Sequence, residues 1–549
     1  MKTNLLFGIH CHQPIDNFDS VIFEIIEKSY RPFFETLKEY PKFKCSVHFS
    51  GWLFEYIKKN DTKLFELIKS LSAQIEFFTG GYYEPILASI PSVSRVKQIQ
   101  KLSKFIEENF NQKAKGLWLT ERIWDDSIID DLKKCDVEYV IVDDYHLIAS
   151  GFEKNRLNGY FITENSNNTM ALFPINKDLR YIIPFATIDD TMEKLHSFKN
   201  IEGENAAIIF DDGEKFGVWP KTYEKVYKKE WLKKFFQKSI DDESINITTF
   251  REFYEKNSGI SLAYLPTVSY HEMGEWSTLP NISRDYLDLV NIHEEKEYLI
   301  RGGIWKNFFI KYNESNWIHK RSLELSKKPN QTLEYEDALH KTQCNDVLWH
   351  GVFGGIYLPN LRDNAYTYII ECENLSLGEK GYETYDIDLD SKLEYKHYTK
   401  DLIAITDIYG AQIVELDLRK ERFNYQNTLT RYHETYHDKI KKIEESEVEN
   451  SSIENENDEI ESIHSSILYT KEDVQMYKDW YNKKSAIDHI CDKSLSLEEF
   501  QKCQFKEYGD FTNQNFDVKN VDENSITFYR IGGVYKQSKK TTTICKTFN

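Results

Sequence analysis

Two segments set a carboxylate directly behind an apolar run. In Trp118-Leu119-Thr120-Glu121-Arg122 the glutamate lies between a tryptophan and an arginine. A neighbouring guanidinium holds a carboxylic acid ionised, the state a nucleophile needs. The same residues also fit a strand-end ion pair between Glu121 and Arg122. In Asp211-Asp212-Gly213-Glu214 three acids fall within four residues. Crowded carboxylates raise one another's pKa, which keeps a general acid protonated near neutral pH. An acidic turn or a calcium loop would look similar, although Phe216 and Trp219 alongside argue against a merely solvated loop. Two carboxylates facing each other across a glycosidic bond are the minimal equipment for cleavage through an oxocarbenium-like transition state. Separations of about 5 to 5.5 Å give retention through a covalent intermediate, and about 6.5 to 9.5 Å admits an inverting water.

His10-Cys11-His12-Gln13-Pro14 carries a second kind of chemistry. An HxH pair at a first strand end is how metal-dependent hydrolases hold their ion, and that reading requires further histidines at later strand ends. His48 and His146 are available, but the fourth and seventh strand ends offer acids instead. His10, His12 and Gln13 are therefore read as hydrogen-bonding groups for sugar hydroxyls, with no metal and no cofactor expected. A catalytically silent glucan-binding protein is a further alternative, opposed by the presence of both carboxylates.

The elements that must position these residues follow from periodicity. Up to about residue 270, short apolar runs alternate with stretches of helical period, the signature of repeated βα units around a parallel sheet. Strands are expected at 4–9, 43–49, 75–78, 116–119, 138–143, 180–184 and 206–210. Ile22, Ile26, Tyr30, Phe33 and Leu37 recur at three- and four-residue steps, one face of an amphipathic helix. Nearly every strand candidate ends in a cluster of His, acid, Trp or Gly, and in β/α barrels the C-terminal strand ends form the active-site face. Helices are expected at 287–299 and 303–324, followed by alternating strands at 382–389, 402–408 and 413–418. The division read from this is 1–280 as a barrel, 281–375 as a helical segment completing the catalytic region, and 376–549 as a β-rich accessory domain. An acidic loop lies at 444–462.

The 549 residues are 40% hydrophobic and 14% aromatic, enough for a large core with rings to spare as sugar platforms. A formal net charge of -20 opposes nucleic-acid backbones and anionic membranes as partners. The eight cysteines are scattered singly, and the apolar run at 5–9 is too short for a leader or a membrane span, so a cytoplasmic location is expected.

Five segments in order resemble the conserved regions of glycoside hydrolase family 57, the group containing 4-α-glucanotransferases and α-amylase-like enzymes. They are HCHQP at 10–14, GGYYEPIL at 80–87, GLWLTERIW at 116–124, FDDGEKFGVWP at 210–220 and QCNDVLWHGVFGGIYLPNLR at 343–362. LPTVSYHEMGEW at 265–276 and NTLTRYHETYH at 427–437 are similar to the glucanotransferase branch. The resemblance implies an α/β fold, an incomplete (β/α)7 barrel with a helical extension, followed by a C-terminal β-sandwich. It implies Glu121 as nucleophile and Asp212 as acid/base. It places Glu84, Glu214 and Asp346 around the sugar and Trp118, Trp219 and Trp349 as stacking rings. It further implies a retaining 4-α-glucanotransferase with α-glucan or maltodextrin as donor and acceptor, or, on the same site, an α-amylase-type hydrolase. A homo-oligomeric state stays open. Cys11 stands where the family more often has Asn. The family's glucanotransferases usually continue beyond this length, so the sandwich is expected to be shortened.

Overall fold

The apolar runs of the first three hundred residues pair in parallel, as expected of strands covered on both faces, which need no polar side. With the antiparallel β6 (Phe161–Asn165), the strands of this region are β1 (Thr3–Cys11), β2 (Cys45–Phe49), β3 (Ile75–Phe78), β4 (Gly116–Leu117), β5 (Tyr139–Asp143), β7 (Asn168–Ile175), β8 (Ala206–Asp212) and β9 (Ile245–Thr248). Pairing runs β8-β1-β2-β3 in one sheet and β4-β5-β7-β6 in another. A parallel bridge between Thr79 and Leu117 joins the two. On the far side, the N–H of Asn176, just past β7, donates to Ile208 O of β8 at 2.9 Å. Seven parallel strands thus curve into an incomplete (β/α)7 barrel, while β6 is an antiparallel hairpin arm and β9 pairs with the first half of β1. The computed structural model describes residues 2–200, 205–293, 296, 299–329, 331–351, 354–434, 437, 477–536 and 538–549.

The barrel interior is aromatic. Phe78, Trp118, Tyr139, Phe173 and Phe210 point inward and are closed from below by Phe250 and Phe253. Burial of each such ring stabilises the fold by about 2 kcal/mol. Gly8 on β1 leaves the space that Phe210 fills, since a Cβ there would lie 2.3 Å from the ring. The segment from Asp19 to Glu39 is helical with a π turn at Ile26–Tyr30. It buries Ile22, Ile26, Tyr30, Phe33 and Leu37, as the periodicity indicates.

One expected strand is absent. Residues 177–182 form a helix whose first turn is capped by Asn176, its Oδ1 accepting from the N–H of Leu179 at 3.0 Å, and a cis Ile183–Pro184 bond follows. The sixth barrel strand is instead β7, whose polar start, Asn168-Thr169, hides an apolar run. The helix expected at 303–324 is broken at Tyr312 into Phe308–Lys311 and Asn313–Ser326.

The described residues divide into two compact units. The first runs to Asn307 and includes Gln343–Asn345, and the second takes Phe308–Thr342 and the described residues from Asp346 onward. Among the described residues of the second unit, the longer helices are Asn313–Ser326, Leu333–Thr342 and Pro359–Ser376, beside the short Phe308–Lys311 and Leu497–Gln501. The unit also holds two antiparallel sheets. One is β10 (Gly381–Tyr385), β11 (Glu394–Tyr398), β12 (Leu402–Asp407), β13 (Gln412–Leu418) and β14 (Phe423–Asn424), and the other is β15 (Asp517–Val521), β16 (Ile526–Tyr535) and β17 (Lys539–Phe548). The two sheets share a core of Ala411, Phe511, Phe516, Ile526 and Phe528, with Tyr395 and Phe548 packed against it, a sandwich. Arg321, with no exposed surface, ties helix to sheet through Glu373 at 2.6 Å and Glu415 at 3.1 Å, a buried charge tolerated because it is paired. No helix among the described residues is long and apolar enough to cross a membrane. The acidic stretch 444–462 lies outside the described residues.

Candidate active site

Register brings the first residues together. His10 on β1 stands opposite His48 on β2 and opposite Asp212 on β8, so one row at the C-terminal end of the sheet carries His48, His10 and Asp212. His10 Nδ1 and His48 Nδ1 share a 2.8 Å hydrogen bond. Burial, then the neighbouring histidines, pull both rings well below the ordinary imidazole pKa, so both are neutral. Nε2 of His48 is buried and meets no partner among the described residues. An unpaired buried acceptor costs less than an unpaired N–H, which favours the tautomer in which His48 donates from Nδ1. His10 then carries its proton on Nε2, 3.8 Å from Glu84 Oε1. Trp118 stacks on His10 at 4.4 Å and on Phe210 at 5.1 Å, and its indole N–H meets no acceptor among the described residues.

The end of β8 and the turn after it hold the acids. Asp211 is ion-paired to Lys215 at 2.5 Å and lies 3.8 Å from Arg180. Burial alone would push Asp211 up, but Lys215, Arg180 and Arg122 together hold it below the usual range. Asp212, one residue on, takes the opposite course: burial first, and then the charge of Asp211, raise it to about 6, with Glu121 adding in the same direction. Glu214 rises to about 7 through burial and the charge of Asp212. Its Oε1 accepts from Tyr30 Oη, from Gln13 Nε2 at 3.2 Å and from the N–H of His12 at 3.3 Å. The π turn at Ile26–Tyr30 presents Tyr30 to Glu214 and sets Ser29 Oγ 2.6 Å from Gly213 O. Gly217, at φ 151, closes this turn where a Cβ would lie 1.9 Å from Lys28 O.

Across the mouth, Glu121 and Arg122 both occupy left-handed backbone, with φ 52 and 51. Such conformations cost about 1 kcal/mol or more and persist where surroundings impose them. Here Ser269 Oγ donates to Glu121 O, and Tyr270 Oη donates to Glu121 Oε2 at 2.6 Å. The Arg122 guanidinium lies 4.1 Å over the Tyr270 ring and 3.9 Å from Asp143. Glu84, fully buried, accepts from Thr120 Oγ1 at 3.0 Å, while its main-chain oxygen takes both the N–H and the Nδ2 of Asn345. His10, His48 and Glu84 also bring ligand atoms within 4.8 Å of one another, as do Asp386, Asp388 and Glu394, between β10 and the start of β11 in the second unit.

Residues 7–266 match the family described as "Glycosyl hydrolase family 57", 303–376 match "Alpha-amylase/4-alpha-glucanotransferase, middle domain" and 386–549 match the corresponding C-terminal domain. The chain is 39% identical to a 4-alpha-glucanotransferase of Thermococcus litoralis, over 98% of this chain and 82% of that one. The chain belongs to glycosyl hydrolase family 57. It is also 38% identical to an alpha-amylase of Pyrococcus furiosus, over 95% of this chain and 80% of that protein. The crystal structure of the Thermococcus litoralis enzyme superposes with a TM-score of 0.90 at 36% identity, covering all of this chain and 82% of that one.

In this family 57 chain the motif residues fall on both units. His10, His12, Gln13, Glu84, Trp118, Glu121, Asp212 and Glu214 belong to the barrel mouth, and Trp219 stacks on Phe185 beside it at 6.0 Å. Asp346 and Trp349 are carried by the second unit, where Trp349 packs on Phe308. Sequence reasoning misses several contributors: Tyr30, Arg180, Lys215, Ser269 and Tyr270. Tyr270 sits inside the 265–276 stretch, whose density of Tyr, His, Glu and Trp is a usable signal. Arg180 is hidden in a segment whose residue types favour a strand.

Proposed function

We propose that this chain is a retaining 4-α-glucanotransferase, with Glu121 as nucleophile and Asp212 as general acid/base. The observation that carries the reading is the split between neighbouring acids. Asp211 is clamped ionised by Lys215 and Arg180, while Asp212 is pushed up to about 6 beside a Glu121 held by a phenol. Such a divergence is how one site runs acid and nucleophile chemistry together.

In the first half-reaction a Glu121 oxygen attacks the anomeric carbon while Asp212 gives its proton to the departing 4-oxygen. The glucan segment is then an ester of Glu121, and Asp212 is a carboxylate. In the second half, the 4-hydroxyl of an acceptor glucan attacks the same carbon, its proton passes to Asp212, and the carboxylate of Glu121 leaves. His10, His12, Gln13, Glu84, Glu214, Trp118 and Trp219 surround the sugars in this reading; the indole N–H of Trp118, which meets no acceptor among the described residues, suits a hydroxyl oxygen. Asp346 and Trp349 enter on their motif alone. We also keep the three-part division at 280 and 375, which the helical run and the middle-domain match at 303–376 support.

A second reading, α-amylase-type hydrolysis on the same pair, is favoured by relatives of 38% identity that carry that name. It differs only in the acceptor. Glu121→Gln tests the shared chemistry: turnover of maltodextrin is expected to fall by about three orders of magnitude or more with binding retained. Turnover within severalfold of the parent would remove Glu121 as nucleophile.

A further inference from the structure

Asp143 closes β5 at the end of an apolar run and is almost wholly buried. Its Oδ2 lies 3.4 Å from a terminal nitrogen of Arg180 and 3.9 Å from Nε of Arg122. These two guanidiniums border the proposed catalytic pair: Arg122 follows Glu121 in the chain, and Arg180 Nε stands 3.8 Å from Asp211 Oδ2. Against burial and the charge of Asp211, both favour the ionised form of Asp212. Asp144, the next residue, is pushed well above the usual carboxylate range by burial and then by the charge of Asp143, so of these adjacent carboxyls Asp143 carries the charge. Burial draws the Arg180 guanidinium down, and Glu272, Asp211 and Asp143 more than offset it, so Arg180 stays a cation. One buried carboxylate therefore faces two buried cations, which persist because anions pair with them.

We propose that Asp143 is a positioning residue, the shared counter-charge of Arg122 and Arg180 that limits the positive field these two cations lay on the catalytic pair. The inference rests on Asp212 being the acid/base. Without Asp143 the same two guanidiniums face Asp211, Glu272 and the pair itself, and the site is more positive by one charge. A more positive site favours a carboxylate over its acid. Asp212 then gives up its proton at lower pH, and the acid that the leaving oxygen needs is scarcer near neutrality. Glu121 is moved in the same direction and ionises at lower pH as well. Both limbs of the kcat/KM profile therefore travel together, which a loss of packing alone does not produce. The other groups facing Asp212 are Glu121, Asp211, Glu214, Lys215, Cys11 and, in register on β1, His10. Those facing Asp143 besides the two arginines are Asp144, His146 and Tyr181.

Asp143→Asn removes the charge and keeps an oxygen to cap the helix Asp144–Ile148, a place where Oδ1 of Asp143 accepts from the N–H of Tyr145 at 3.2 Å. On maltodextrin we expect both limbs of the kcat/KM profile to move to lower pH by about half a unit or more, so that kcat/KM at neutral pH falls about threefold or more. Arg122→Gln takes away one of the cations and is expected to move the basic limb up. Adding Asp143→Asn to it should bring that limb down again by a similar step. A folded Asp143→Asn protein whose limbs stay where the parent's are overturns the proposal, whether activity is unchanged or falls evenly at every pH. Should the single variant not fold, the Arg122→Gln background carries the test, and equal limbs there with and without Asp143 overturn it. If Asp212→Asn loses turnover of maltodextrin and of α-maltosyl fluoride equally, the acid assignment fails instead, so the two failures are told apart.

Discussion

Asp212 shows how much of the chemistry resides in one side chain's surroundings. Its carboxyl is raised to about 6, first by burial and then by Asp211, so the acid form that the proposed role requires persists through mildly acidic pH. As pH rises through that value the acid is lost, and the basic limb of kcat/KM is expected to fall near pH 6; a limb above pH 8 would contradict the assignment. Asp212→Asn should abolish turnover of maltodextrin yet still release about one equivalent of fluoride from α-maltosyl fluoride, whose leaving group needs no proton. Equal loss on both substrates would place Asp212 outside the acid role. At this scale the sequence is most informative about the residues that end strands. Glu121 and Asp212 are legible because each follows an apolar run. Tyr270 is not, because its role depends on a contact across 149 positions that no local spacing encodes.

Elements decide whether those residues meet. The turn that follows Asp212 and carries Glu214 is braced against the π turn at Ile26–Tyr30, and at Gly217, with φ 151, there is no room for a Cβ before Lys28 O. Gly217→Ala is expected to destabilise the protein by about 2 kcal/mol or more and to lower kcat, because relief requires moving the turn or the helix. A melting temperature and kcat equal to those of the parent would show that the two elements do not constrain each other. Most barrel strands can be read from apolar runs, and the helix face from Ile22 to Leu37 follows its period. The exception, 180–184, has a physical cause: Tyr181-Ile182-Ile183 has strand-like residues, but Asn176 caps a helix ahead of it and Pro184 ends it. Local propensity is overruled by capping, and β7, with a polar start, takes the place in the sheet.

Over the whole molecule, family 57 membership and the barrel account for the setting of the proposed catalytic pair, while the choice of acceptor depends on how well a second glucan competes with water at the same mouth. The order of motifs along the chain conveys the architecture, because in a β/α barrel each strand end contributes to one face. The composition conveys less: a net charge of -20 says which partners are repelled and nothing about which sugar hydroxyl is accepted. The direct measurement is to incubate the protein with maltotriose alone and separate the products over time. Disproportionation predicts glucose together with a ladder of maltodextrins longer than the substrate, formed from the earliest time points. Maltose and glucose alone, with no longer chain at any time, would contradict transfer and leave the same carboxylate pair as that of a hydrolase.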